Sequence, residues 1–123
     1  MRNYSVMRDV LSLVASAPHE LSFDDFDEIQ QQDEVPQEIV RLQANGLVDG
    51  DIRFGAHALC LGGRVKALTD EGTEFYKLIE NDDVWALIRD TLKRASVDVS
   101  YPLLKEVCEE IVKRYVTSFI PKI

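Results

Sequence analysis

The sequence lacks any long run of apolar residues. Of its 123 residues 46% are hydrophobic, yet no apolar stretch approaches the roughly 20 residues that a helix needs to cross a bilayer. The first ten residues carry Arg2, Arg8 and Asp9 between scattered apolar residues, so they lack the continuous apolar core of a signal peptide. We expect a cytoplasmic protein with no membrane partner.

Cysteine and histidine are scarce, and neither is grouped. Cys60 and Cys108 lie far apart in apolar surroundings, and His19 and His57 have no partner at a metal-ligand spacing. The glycine doublet Gly62-Gly63 is a much weaker signal than a phosphate-binding loop. Because catalysis needs a constellation of such groups, we expect no enzyme activity, no catalytic or metal-binding residue and no cofactor.

Lysine and arginine are absent between Glu20 and Glu38, a stretch that we call the acidic segment. Its eight acids equal the net charge of −8, so the acids and bases of the remaining chain balance. Acids near the N-terminus of a helix interact favourably with its dipole, and acids also keep a protein soluble. These two effects, without any binding function, would explain part of this cluster. The acids of the segment are Glu20, Asp24, Asp25, Asp27, Glu28, Asp33, Glu34 and Glu38.

Apolar periodicity predicts three helices in the first part of the chain. The first covers Tyr4 to Ser16, and Pro18 follows its end. The second starts at Ser22, with Asp25 as its capping partner, and turns Phe23, Phe26 and Ile29 inward. The third runs from about Pro36 to Asn45 and ends before Gly46. Its outward residues are expected to be Gln37, Glu38, Arg41 and Gln43.

The pattern then changes to strands and back to helices. Leu47 to Phe54 and Leu59 to Leu68 predict two strands joined by a turn at Gly55 to Ala58. Thr69 is the expected N-cap of a fourth helix, Asp70 to Glu80.

Two further helices are predicted at the C-terminal end, the first capped by Asp82 or Asp83 and the second by Ser100. The last helix carries an apolar stripe that is too wide for a solvated helix, so it must pack on the core or on a second copy of the chain. The stripe contains Leu103, Leu104, Val107, Cys108, Ile111, Val112 and Tyr115.

This order of elements predicts a mainly α fold with a small β-hairpin, namely a winged helix-turn-helix followed by two C-terminal helices. The winged-helix domain would cover residues 1–81. The helical pair, residues 82–123, would pack on that domain or form a homodimer interface. The stretch "LQANGLVDG", followed by "VKALTDEGTEF", resembles a segment shared by many winged-helix regulators.

The run "LTDEGTEFYKLIENDDVWALIRDTLKRASVDVSYPLLKEV" resembles a family of short bacterial and prophage winged-helix proteins, domain of unknown function 2513. The resemblance implies the fold and a phage or prophage setting in a bacterial host cell, but no activity. The positions that match look like capping and packing residues. They are Leu68, Thr69, Gly72, Glu74, Phe75, Ile79, Asp83 and Trp85.

Two binding functions follow. In the first, the acidic segment engages a basic surface on a protein partner, such as a host nucleic-acid-binding enzyme or a defence complex. In the second, the third helix reads DNA and the wing contacts phosphates, although the acidic segment opposes DNA electrostatically. The DNA-contacting residues would be Gln37, Arg41, Gln43 and Asn45 in the helix, and Arg53, His57, Arg64 and Lys66 in the wing.

Overall fold

The computed structural model describes residues 2–29, 32–56 and 60–121. Within these ranges the chain is mainly helical and has one small antiparallel sheet. None of the described helices is both long and apolar enough to cross a membrane. The elements are α1 (Tyr4–Ser16), β1 (Leu21–Ser22), α2 (Val35–Ala44), β2 (Val48–Phe54), β3 (Cys60–Leu68), α3 (Asp70–Ile79), α4 (Asp82–Ala95) and α5 (Tyr101–Thr117).

The chain divides into two compact units. The first unit is Asn3–Tyr76, and the second is Lys77–Ile123 with Met1–Arg2. The division falls inside α3, a few residues before the boundary that the sequence predicts after residue 81.

Helix α1 has the bounds that its periodicity predicts. The side chain of Asn3 caps it by accepting the backbone N–H of Ser5 at 3.0 Å. Its inward side chains Met7, Val10 and Leu11 are fully buried, and the helix packs against α2 and β3. These contacts form the core of the first unit.

The prediction of a second α-helix from Ser22 is wrong. Leu21–Ser22 is a short strand, and Phe23–Phe26 is a single 3₁₀ helix. The capping interaction exists, because the Ser22 N–H donates to Asp25 Oδ2 at 2.8 Å, and Phe26 and Ile29 are buried. An α-helix would place like charges three and four residues apart along this acidic stretch, which is unfavourable, whereas strand pairing holds its start.

The predicted hairpin is confirmed. Strands β2 and β3 are antiparallel, and β3 lies in the centre of the sheet between β2 and β1. Strand β1 pairs Leu21 with Val65, a contact that local sequence patterns do not reveal. The predicted turn extends beyond the described residues, and His57 lies outside them.

The connections that enter and leave the hairpin have the helix-capping residues that the sequence predicts. Helix α2 begins one residue before its predicted start, and Gly46 after it adopts φ +74°, the left-handed conformation that glycine tolerates. Thr69 caps α3 as predicted, since its Oγ1 accepts the Gly72 N–H at 2.9 Å and donates to Gly46 O at 2.6 Å.

The second unit contains α4 and α5, which pack on each other. Asn81, not Asp82 or Asp83, caps α4, because its Oδ1 accepts the N–H groups of Asp83 and Val84 at 2.9 and 3.1 Å. Helix α5 begins after Ser100 as predicted. The two helices contribute the following buried residues to the core of the second unit: Val84, Trp85, Ile88, Leu92, Leu104 and Cys108.

The apolar stripe of α5 is only partly covered. Leu104 and Cys108 are buried, but Leu103 is 46% exposed. Exposure rises toward the end of the helix and just beyond it, where Val116 is 57% and Phe119 is 69% exposed. The final turns therefore leave an apolar surface open to solvent.

Candidate functional site

The acidic segment lies in the first unit, from the residue before β1 to the first turn of α2. Asp24 and Glu28 are exposed near the 3₁₀ helix, and Asp33 and Glu34 are exposed just before α2. Within the described part of the chain, the carboxylates of these four residues have no ion pair or side-chain hydrogen bond. Asp27 is exposed as well. Asp27 also has an interaction with another group, so the open acids of the segment are Asp24, Glu28, Asp33 and Glu34.

Three other acids of the segment are engaged within the protein. Glu20 Oε1 lies 3.0 Å from Arg64 Nη1, and Asp25 accepts the Ser22 N–H. Glu38 is 2% exposed, so the expectation that it points outward is wrong. It lies three residues after Val35, on the same buried stripe as Ile39 and Leu42. The helical period therefore predicts burial at this position, although a carboxylate usually indicates exposure to solvent.

The predicted DNA-reading face of α2 is also partly occupied. The Gln43 amide Nε2 donates to Gly50 O at 2.8 Å and thereby ties α2 to β2. The Nη1 atom of Arg41 lies 3.6 Å from the buried carboxylate of Glu38. Gln37 and Asn45 are exposed. The helix therefore presents two of its four predicted base-reading side chains without a described partner.

The predicted phosphate contacts of the hairpin are mostly neutralised. Arg64 pairs with Glu20, and Lys66 Nζ lies 3.4 Å from Asp51 Oδ2. Arg53 is exposed and has no ion pair among the described residues. Exposed ion pairs contribute little stability, but each cancels local positive charge that a phosphate would need.

The glycine doublet has a structural role in the sheet. Gly63 adopts φ +146°, and a Cβ atom there would lie 2.1 Å from Asp51 O on the neighbouring strand. Strand pairing therefore requires glycine at this position. Among the described residues, no group of three or more His, Cys, Asp or Glu side chains could hold a metal ion.

Two groups have perturbed acidities. Partial burial raises the pKa of the Asp9 carboxyl, and the positive charge of Arg8 opposes this effect. Burial raises the pKa of the Cys108 thiol to about 12, with a smaller contribution from Glu109. Asp9 lies beside a cavity in the first unit, whereas Cys108 is part of the packed core of the second.

Comparison with known proteins gives one informative similarity. No family model matches the chain. The chain is similar to an uncharacterised protein of Haemophilus influenzae, to which it is 32% identical over 73 residues. The match covers 59% of this chain and 60% of that relative, so it spans less than two thirds of the relative's length.

Proposed function

We propose that this chain is a non-catalytic winged-helix binding protein that acts as a protein–protein regulator or inhibitor through the acidic segment. One observation carries the proposal. Of the four Lys and Arg residues expected to contact DNA, Arg41, Arg64 and Lys66 are paired with acids, while the open acids of the same unit have no ion pair among the described residues.

The order of elements supports the winged-helix interpretation. A helix, a turn with a short 3₁₀ helix, a second helix, a β-hairpin and a further helix follow one another within residues 4–79. The departure is the 3₁₀ helix that replaces the first helix of the expected helix-turn-helix. A fold does not fix a function, so we infer the kind of partner from the surface charges.

Electrostatics favour a basic partner over DNA. DNA affinity grows with each phosphate that a Lys or Arg neutralises, and nearby carboxylates reduce that gain. Here a phosphate would have to compete with Glu20 for Arg64 and with Asp51 for Lys66. A basic protein surface would instead meet carboxylates that need not release an internal partner, and the opposite charges would speed association.

The nature of the partner follows from the resemblance to prophage proteins together with this charge pattern. We propose that the protein acts in the cytoplasm of a bacterial host cell. Its acidic surface would occupy the nucleic-acid site of a host enzyme or of a defence complex, where basic residues are concentrated. No cofactor is needed for such a role.

The alternative function is a DNA-binding transcriptional regulator. Gln37 and Asn45 are exposed on α2, and Arg53 is exposed on β2, which favours this candidate. Amide side chains recognise adenine, and Arg recognises guanine or phosphate. This function is the second choice because, among the described bases that were expected to contact DNA, all but Arg53 are paired with acids.

The proposal is tested by reversing charge in the acidic segment. The variant Asp24→Lys/Asp27→Lys/Asp33→Lys should lose the proteins that the tagged wild type captures from bacterial lysate, measured by quantitative mass spectrometry. Capture that is unchanged in this variant would overturn the proposal.

A matched control applies the same charge change elsewhere. Glu74→Lys/Glu106→Lys/Glu109→Lys replaces three exposed acids outside the acidic segment. This control should keep the captured partner, and circular dichroism should show that both variants are folded. Equal loss in the two variants would attribute capture to net charge alone and contradict a localised surface.

A further inference from the structure

A cavity of about 380 Å³ opens between α1 and the chain that follows the 3₁₀ helix of the first unit. Two carboxylates, two hydroxyls and two aliphatic side chains line it. The lining residues are Asp9, Ser12, Leu13, Ser16, Glu28 and Ile29. Glu28 and Ile29 belong to the acidic segment and the other four residues to α1, so the cavity lies between that segment and α1.

Most of the polar groups that line the cavity are hydrogen-bond acceptors, and the Ser12 hydroxyl can donate or accept. The Ser16 hydroxyl donates to Ser12 O at 3.0 Å, which leaves its oxygen lone pairs available. The Asp9 and Glu28 carboxylates have no ion pair or hydrogen bond among the described residues. A ligand for this cavity should therefore bring donors and positive charge.

The apolar lining adds a requirement of shape. Ile29 is 9% exposed, and Leu13 is half-buried beside it. Such a surface suits the methylene stem of a long side chain whose charged end reaches polar groups. A planar guanidinium carries five N–H donors, which matches several separated acceptors better than an ammonium does.

We propose that this cavity receives an arginine side chain of the protein partner, with the guanidinium between Asp9 and Glu28 and the stem against Leu13 and Ile29. The inference rests on the proposed function, since it names the group through which the basic partner is held. It makes Asp9 a binding residue although this acid lies outside the acidic segment.

The cavity can be tested without the partner. N-acetyl-arginine methylamide, titrated into the ¹⁵N-labelled full chain, should shift the amide resonances of the lining residues. The uncharged citrulline analogue, which has nearly the same shape, should shift them at least tenfold less at equal concentration. Equal shifts with both probes, or no shifts with the arginine probe, would overturn the inference.

Variants locate the effect. Asp9→Asn/Glu28→Gln should abolish the arginine-dependent shifts, whereas Asp24→Asn/Asp33→Asn removes the same charge outside the cavity and should retain them. Retention in the first variant would refute the site. If the arginine probe fails while the charge-reversal variant still loses its partner, the cavity inference fails and the proposed function stands. If the probe binds but charge reversal leaves capture unchanged, the proposed function fails instead.

Discussion

Replacing Gly72 by alanine tests how closely α3 approaches the start of the hairpin. A Cβ atom at Gly72 would lie 1.9 Å from Leu47 O and 2.8 Å from Leu47 C. The same carbonyl oxygen accepts the Thr69 N–H at 3.0 Å, so it cannot move without disturbing the cap of α3. The added methyl group therefore meets backbone on a constrained segment.

The size of the effect follows from two opposing contributions. Forcing a methyl group into a closely packed site costs about 1–3 kcal/mol. Alanine in place of glycine in a helix gains up to about 1 kcal/mol, and less in the first turn. We expect Gly72→Ala to lower the free energy of unfolding by about 1–2 kcal/mol, the difference between these contributions.

Urea denaturation followed by circular dichroism measures this change. Glu74→Ala is the matched control, since Glu74 is exposed on the same helix and should change stability by no more than about 0.5 kcal/mol. A Gly72→Ala variant as stable as wild type, or more stable, would refute the close contact with Leu47.

Further predictions concern other parts of the chain. Asn81→Ala removes a cap that accepts two N–H groups, and thermal denaturation should show a loss of about 0.5–2 kcal/mol. Burial raises the pKa of the Cys108 thiol to about 12, so peptide mapping should find it unalkylated by iodoacetamide near neutral pH in folded protein and alkylated in urea. Partial burial raises the pKa of folded Asp9 above 3.8, so its ionised form costs stability above the folded pKa, and this cost disappears as pH falls through the raised pKa. Asp9→Asn should therefore raise Tm at neutral pH but not below pH 3.8, and a constant difference would contradict this. If the C-terminal helices form a homodimer rather than pack on the predicted winged-helix domain, sedimentation velocity should show a mass that rises from monomer to dimer with concentration. Phe119→Lys, at a side chain that is 69% exposed, should then keep the protein monomeric, and a wild type that is monomeric at every concentration refutes the dimer.

Local signals predicted the elements whose boundaries are set by caps and periodicity. Asn45 and Gly46 mark the end of α2, and Thr69 marks the start of α3, because capping depends on residues within a few positions. The hairpin was likewise visible from its strand-forming residues and glycines. The same local signals predict Asp82 or Asp83 as the cap of α4, where the structure has Asn81, because Asn and Asp both cap helices and the position of the first turn decides between them.

The errors and omissions come from long-range contacts or from a charge that hides a periodic position. The 3₁₀ helix after β1 depends on pairing with β3, more than 40 residues away in the chain. That pairing also brings Glu20 within 3.0 Å of Arg64, so that the two charges partly neutralise each other on the surface. Glu38 fits the buried stripe of α2, but a carboxylate there suggested solvent. The sheet register therefore determines which charges of the two candidate surfaces are paired.

Because Arg41, Arg64 and Lys66 are paired with acids and the open acids repel phosphates, we expect that the first unit does not bind DNA through its phosphates. Fluorescence anisotropy with labelled mixed-sequence duplex DNA, across a salt series, tests this most directly. We expect no increase in the anisotropy of the labelled DNA even at the lowest salt. Binding that weakens steeply with salt and is reduced by Arg53→Ala would contradict it, and would favour the DNA-binding regulator instead.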